Sequence, residues 1–409
     1  MGHQKRPVSE ISLGLCNILY ITLMLLLIRD RTIPEILRED KFNSLIPNDS
    51  NKYLQQNYTK NESGSYILND KINEAVDYDL FYSFMNRYYN PSQGFTILAI
   101  EEPEAHLHPA LQRLLYGEVL HKSTTSVIFT THSTHITSIA PLNSIVHFYQ
   151  NDKEETEIKS SHQLTLTDKD RNDLQRYLDT KRSELFLSAG VILVEGIAEE
   201  YLIPRFAELQ GLSLDYNQIS VCNVNSNHFT PYVKLLNELN IPWCVITDGD
   251  YYEEEVDSKD NNLTKKVFHK KSTNGSKKKY AGFGIASKTL SSIGIKRTDS
   301  TLSKRKFFKN HGLFVGKYTL EVDIMEKGGD VENEIIKSVF ADIKPGGDRQ
   351  QANFEKEIDS GNYWNALNKI ENTVGKGRFA QRLASECTAE QIPEYVKESI
   401  NYLVKKVER

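Results

Sequence analysis

A chain of 409 residues exceeds one ordinary domain and can bury two cores. Its 39% hydrophobic and 26% charged residues suit a folded globular protein, and a net charge of -5 excludes a globally basic nucleic-acid binder, so any DNA affinity must come from local patches. Cys16, Cys222, Cys244 and Cys387 show no paired spacing, which argues against a disulfide framework and a zinc site and fits a reducing cytoplasm.

In chain order, Ile18 to Ile28 reads ILYITLMLLLI after a basic start. The uncharged stretch is at the short limit for a membrane span, and Arg29, Asp30 and Arg31 follow it where a signal peptide would need a small-residue cleavage site. A buried core helix is therefore expected, with no membrane partner. Lys41 to Asp79 is rich in Asn, Ser, Tyr and Asp and reads as an exposed loop or a variable excursion. From Phe95, FTILAI and SVIFTTHS have the continuous apolar pattern of strands buried on both faces, with helical spacing from Pro109 to Leu120 between them. Asn151 to Glu157 is a charged turn, and the polar stretch to about Ser183 is expected to be helical. The first domain is taken as 1–165 and the second as 183–409.

The second domain restarts the rhythm. Strand VILVE, helix AEEYLIPRFAEL, strand ISVCNV, helix TPYVKLLNEL and strand PWCVITD form a βαβαβ unit with right-handed crossovers, so the fold class is α/β with a parallel sheet. Residues 252–317 turn acidic at Glu253, Glu254 and Glu255. They then turn basic at Lys265, Lys266, Lys270, Lys271, Lys277, Lys278 and Lys279, and again at Lys304, Arg305, Lys306 and Lys309. This is read either as a solvated insertion or as a phosphate-neutralising patch. The tail from Asn362 is helical, and GKGRFAQRLA opens one of its helices.

Phosphodiester cleavage by divalent cations needs hard oxygen ligands, which in a parallel α/β sheet gather outside the carboxyl ends of the strands. Glu195 ends the first strand, Gly196 permits the turn, and Glu199 lies one helical turn on. Asp248 and Asp250 end the third strand with the spacing that projects both to one side. Any one of these is most simply a helix cap or a surface charge. As a set they favour function, since clustered carboxylates without a cation are unfavourable.

LVEGIAEEYLIP, VITDGD, YTLEVDI and KGRFAQRLA, in this order, resemble the Toprim domain, and more closely the OLD family of ATP-linked endonucleases, to which the Gabija defence nucleases are similar. The resemblance spans most of Val191 to Ala384. It implies a DNA endonuclease or nickase using Mg2+ or Mn2+, with Glu195, Glu199, Asp248, Asp250 and Glu321 as catalytic metal ligands. Asp323 could share the role of Glu321, and Lys376 would stand near the scissile phosphate. One departure is VNSNHF, Val224 to Phe229, where OLD proteins have a glycine-bearing turn.

ILAIEEPEAHLHP resembles the Walker B region of ABC-type ATPases. By that resemblance Glu101 would position Mg2+, Glu102 would polarise water, and His132 of FTTHS would be the switch histidine. Ser12 and Gly14 of ISLGLCNILYIT would be a degenerate signature motif facing a partner subunit. His106 and His108 are too isolated to be metal ligands. No GxxxxGK[ST] loop occurs, and AGFGIAS lacks the lysine, so the chain is expected to be an N-terminally truncated member that binds ATP only if a phosphate loop comes from another chain or from upstream sequence. A homodimer, with a possible helicase or ATPase partner, is the expected assembly. The competing reading is a catalytically idle scaffold or regulatory subunit of a defence or DNA-repair complex.

Overall fold

The fold comes from a computed structural model that describes residues 12–29, 33–69, 76–89, 97–122, 126–151, 153–179, 181–256, 264–268, 279–297, 302–343 and 348–408. The chain divides into two compact units, 1–139 and 140–409.

The first unit contains α1 (Leu13–Arg29), β1 (Ile36–Leu37), α2 (Glu39–Leu45), α3 (Tyr53–Asn57), β2 (Tyr58–Lys60), β3 (Tyr66–Leu68), α4 (Tyr78–Tyr88), β4 (Ile97–Glu101), α5 (Pro109–Lys122), β5 (Ser126–Thr130) and α6 (Thr134–Thr137). Three expectations are corrected here. The stretch from Lys41, read as an exposed loop, carries α2, α3, β2 and β3 around buried Phe42, Leu45, Tyr53, Leu54 and Tyr58; residues 70–75 of it lie outside the described set. Its elements are too short for a period to show, and aromatic packing does the work instead: Phe42 stacks on Tyr66 at 3.5 Å between centroids.

Strands β4 and β5 pair in parallel but are not buried on both faces. Ile100, Val127 and Phe129 pack with residues of α1 and α5, whereas Ile97 and Ile128 are 51% and 57% exposed. Likewise α1 is not a fully buried helix: Ile21 is buried and Ile18 and Leu25 pack beside it, while Leu15, Leu19, Leu23 and Leu26 are exposed. An apolar residue type states what a face tolerates, and the rest of the chain decides whether it is covered. No described helix is long and apolar enough to cross a membrane.

The second unit opens with an antiparallel hairpin, β6 (Val146–Gln150) and β7 (Thr156–Ser160), where the stretch after the charged turn was expected to be helical; α7 (Asp168–Tyr177) follows. Leu142, Leu164, Leu174 and Leu178 lie in this unit's core, so the segment that the sequence divides at 165 packs here as one piece. Then come β8 (Gly190–Val194), α8 (Ile197–Leu209), β9 (Ile219–Asn223), α9 (Thr230–Glu238), β10 (Trp243–Thr247), β11 (Tyr251–Val256), β12 (Thr264–Phe268), β13 (Lys279–Tyr280), α10 (Gly282–Ser292), α11 (Lys304–Asn310) and β14 (Leu313–Val315). The chain ends with α12 (Leu320–Lys327), α13 (Asp330–Ile343), α14 (Asp348–Asp359), α15 (Tyr363–Thr373), α16 (Lys376–Glu386) and α17 (Glu394–Val407).

Four parallel strands lie in the order β14-β10-β8-β9. Alternate residues feed two cores. Ile192, Val194, Cys244, Ile246 and Phe314 face α8, α13, α16 and α17, while Val191, Leu193, Val245, Leu313 and Val315 face α9, α10 and α11. Burial on both faces explains the unbroken apolar runs of β8 and β10.

The segment read as an insertion therefore contains real fold. Ala286, Leu290 and Phe308 are core residues, and β14 is an edge strand of the main sheet. Lys265 and Lys266 lie on β12; Lys270, Lys271, Lys277 and Lys278 lie outside the described residues.

Candidate active site

The register of β8 against β10 aligns Val191 with Trp243 and Leu193 with Val245, so Glu195, just past β8, comes level with Thr247 at the end of β10. There the Thr247 hydroxyl and the Asp248 N–H both donate to Glu195 Oε1, the latter at 3.0 Å. Asp248 Oδ1 accepts from Leu320 N–H, 3.1 Å away at the first turn of α12, whose partial positive charge favours an anion. Glu199, buried on α8, and Glu321, buried on α12, approach from the two helices that follow the strands. Lys376 opens α16 and places Nζ 3.6 Å from Glu321 Oε2 and 3.1 Å from Glu371 Oε1.

Electrostatics ties these groups together. Burial raises the Asp248 carboxyl well above its ordinary range, and the charges of Glu199, Glu195, Glu321 and Asp250 raise it further. Glu199 is pushed up to about 7 by burial and then by Glu321 and Glu195. Burial raises Glu195 against the two hydrogen bonds it accepts, and raises Asp250 against the pull of Lys376. Burial disfavours the Lys376 ammonium, but Glu321 and Glu371 outweigh it and hold the lysine charged. Tyr395, buried among the same carboxylates, is held protonated by burial and by their charge.

Thus the sequence-derived set shares one electrostatic basin at the carboxyl ends of β8 and β10. Among the described residues, however, no three Asp, Glu, His or Cys side chains are gathered closely enough to grip one ion. The donor chemistry nevertheless fits a hard divalent cation: five carboxylates, two of them buried, are opposed by Lys376. Asp323, which could share the role of Glu321, is engaged by backbone: its two oxygens accept from Lys317 N–H at 2.9 Å and Tyr318 N–H at 3.0 Å.

Replacing the buried carboxylate of Glu199 by an amide removes repulsion without creating a cavity. At pH 8 and without divalent cations, Glu199→Gln is expected to melt about 2–4 °C above the wild type, the shift that ~1 kcal/mol produces in a unit of this size. Differential scanning calorimetry would decide, and a lower melting temperature would contradict the electrostatic account.

The loop after β9 also explains itself. Where a glycine-bearing turn was expected, Asn225 takes φ +51, and its N–H donates to Asn223 Oδ1 at 2.8 Å; asparagine is among the few side chains that adopt this left-handed conformation readily. Sequence reasoning missed Thr247, which carried only the weak signal of a polar residue ending an apolar strand, and Glu371, which carried none.

In the first unit Glu101 ends β4, Glu102 follows with φ +42, and its carboxylate lies 3.8 Å from His132 Nε2. Glu104, overlooked in the sequence, joins the two loops by accepting from Thr131 Oγ1 at 2.7 Å and His132 N–H at 2.8 Å. Ser12 precedes α1, and Gly14 is packed so tightly that a Cβ would stand 2.3 Å from the His106 carbonyl oxygen. His108 caps α5, its Nδ1 accepting from Ala110 N–H at 3.2 Å.

Comparison with known proteins matches residues 186–250 to the Overcoming lysogenization defect protein-like TOPRIM domain, and residues 41–138 to an AAA domain described as putative AbiEii toxin, Type IV TA system. The chain is 26% identical over 381 residues to Endonuclease GajA of Bacillus cereus strain HuB5-5, covering 82% of this chain and 52% of that protein, so it spans about half that relative's length. It is 26% identical over 157 residues to the uncharacterized protein YbjD of Escherichia coli K12, covering 38% of this chain and 28% of that one. A solved C-terminal region of the Xanthomonas campestris pv. campestris OLD protein aligns at 29% identity with a TM-score of 0.43, over 55% of this chain and 96% of that one.

Proposed function

We propose that this chain, which belongs to the OLD family, is a divalent-metal-dependent DNA endonuclease or nickase whose cleavage centre lies at the carboxyl ends of β8 and β10. The observation that carries the reading is geometric: Thr247 and the Asp248 N–H hold Glu195 where β8 and β10 end, Leu320 N–H holds Asp248, and Lys376 stands 3.6 Å from buried Glu321. The five carboxylates would hold Mg2+ or Mn2+, which when bound supplies Lewis-acid stabilisation of the scissile phosphate. The chain's own contribution is to orient them. Thr247 and the Asp248 N–H fix Glu195, the first turn of α12 fixes Asp248, and Lys376 offsets negative charge beside the phosphate.

In the AAA segment, Glu101, Glu102 and His132 have the residue types and loop placement of a nucleotide site, with Ser12 and Gly14 contributing to a partner's. The 409 residues contain no phosphate-binding loop of the form GxxxxGK[ST], and we infer that cleavage proceeds without ATP. Support for DNA as substrate comes from the endonuclease relative. Cytoplasmic location, a homodimeric state and a role in antiviral defence belong to the same reading.

The test is nicking of supercoiled plasmid by the purified chain with Mg2+ or Mn2+, with and without ATP. Cleavage that needs the cation and not ATP is expected. No cleavage of DNA under any divalent cation would overturn the reading and favour a scaffold.

A further inference from the structure

The two aspartates of the DGD turn do not hold their own backbone in place. Asp250 sits at φ +45 after Gly249, and a Cβ on Gly249 would stand 2.3 Å from the Gly316 carbonyl oxygen and 2.5 Å from that of Lys317. The turn is pressed against the strap that follows β14 and bonded to it: the Gly249 N–H donates to Tyr318 O at 2.8 Å, and the Tyr251 N–H to Lys317 O at 3.2 Å. The Gly316 N–H in return donates to Thr247 O at 2.9 Å.

The strap is itself gripped from two sides. Arg305, on α11, donates through its guanidinium to the carbonyls of Val315 and Gly316, the latter at 3.1 Å, and stacks over the rings of Tyr280 and Phe283 at 5.3 and 5.4 Å. Asp323, on α12, receives the N–H groups of the next two residues, Lys317 and Tyr318. One cation and one anion thus engage four consecutive residues of the strap. Each contact uses the fork geometry that suits it: a guanidinium presents parallel donors and a carboxylate presents paired acceptors. The strap's carbonyls then set the turn that bears Asp248 and Asp250.

We propose that Arg305 and Asp323 are a pair of positioning residues that act through the 315–318 strap to hold Asp248 and Asp250 ready for the cation. Arg305 thereby leaves the solvated or phosphate-facing roles open to the basic run, and Asp323 leaves the ligand set. The assignment rests on the nuclease reading only for its effect on activity; its structural half stands apart from it.

The experiment has two arms on Arg305→Ala, Arg305→Lys, Asp323→Asn and the Arg305→Ala/Asp323→Asn double variant, each first checked for a wild-type circular dichroism spectrum. Arg305→Lys, which keeps the charge and loses the fork, serves if the alanine variant fails to fold. In the first arm, amide hydrogen exchange of Gly249 and Tyr251 is expected to speed up about tenfold or more in every single variant, with exchange in β8 and α8 unchanged. Unchanged exchange at Gly249 and Tyr251 would overturn the proposal whether or not the protein cleaves DNA. In the second arm, the Mg2+ concentration giving half-maximal plasmid nicking is expected to rise about tenfold, with the rate at saturating Mg2+ within about threefold of wild type. The double variant should be little worse than the poorer single one, because both act through one strap. A rate that collapses at every Mg2+ concentration in Asp323→Asn while exchange stays normal would make Asp323 a ligand and overturn its half of the pair. Absence of nicking by the wild type would count against the nuclease reading and leave the exchange arm to decide.

Discussion

Asp248→Asn is expected to slow plasmid nicking about a thousandfold at every Mg2+ concentration, equivalent to ~4 kcal/mol of barrier. Burial raises the affinity of Asp248 for a proton, and the charges of Glu199, Glu195, Glu321 and Asp250 all raise it further. A group so placed exchanges the largest repulsion for the largest attraction when a cation arrives, and an amide at the same position forgoes the attraction. Asparagine keeps the shape and the oxygen that accepts from Leu320 N–H, so the loss is one of charge rather than of fold. Gel quantification of nicked plasmid across a Mg2+ titration, beside a melting curve, measures both. Activity within tenfold of wild type would remove Asp248 from the cleavage centre.

Lys376→Ala is expected to lower the nicking rate at saturating Mg2+ and DNA about 100- to 1,000-fold, the range seen when one fixed stabilising group is removed from an active site. The lysine is the first residue of α16, and its ammonium is steadied between Glu321 and Glu371, so its position is defined before substrate arrives. Its loss should fall on the rate more than on the Mg2+ requirement, because it is not itself a ligand. Lys376→Arg keeps the charge on a longer, flatter group and should recover a small part of the rate. If single-turnover rates of Lys376→Ala matched wild type, the lysine would be a structural ion pair and nothing more.

What could be read from residues alone divides along physical lines. The βαβαβ unit was legible because β8 and β10 are five-residue runs buried on both faces, which leaves an uninterrupted apolar signature and a polar break where the acids stand. Glu195 and Asp248 stood out as candidates for the same reason, as acids where an apolar strand ends, whereas Lys376 was named only through the resemblance of KGRFAQRLA. The three-stranded sheet of the first unit was not, since β1, β2 and β3 have two or three residues each and show no period. Nor was β14, three residues long at the end of a basic stretch that reads as solvent-exposed. The exposure of Ile97, Ile128 and the outer face of α1 was invisible because an apolar sequence does not say what lies against it. The strap contacts of Arg305 and Asp323 could not be foreseen, although both residues had been singled out for other roles: they engage carbonyls and amides, which every residue has.

Tyr251 pairs with Tyr280 at the root of the β11–β13 ribbon, and the Gly282 N–H returns to Gly249 O at 3.2 Å, so the chain that departs after β10 comes back beside its point of departure where α10 begins. A detour closed at its neck transmits little of its own length to the scaffold. Doubling it would add only about 0.6 kcal/mol of closure entropy. Between Tyr252 and Lys279 the protein thus has a place where evolution, or an engineer, can splice in recognition elements of almost any size while the chemistry beneath stays where it is.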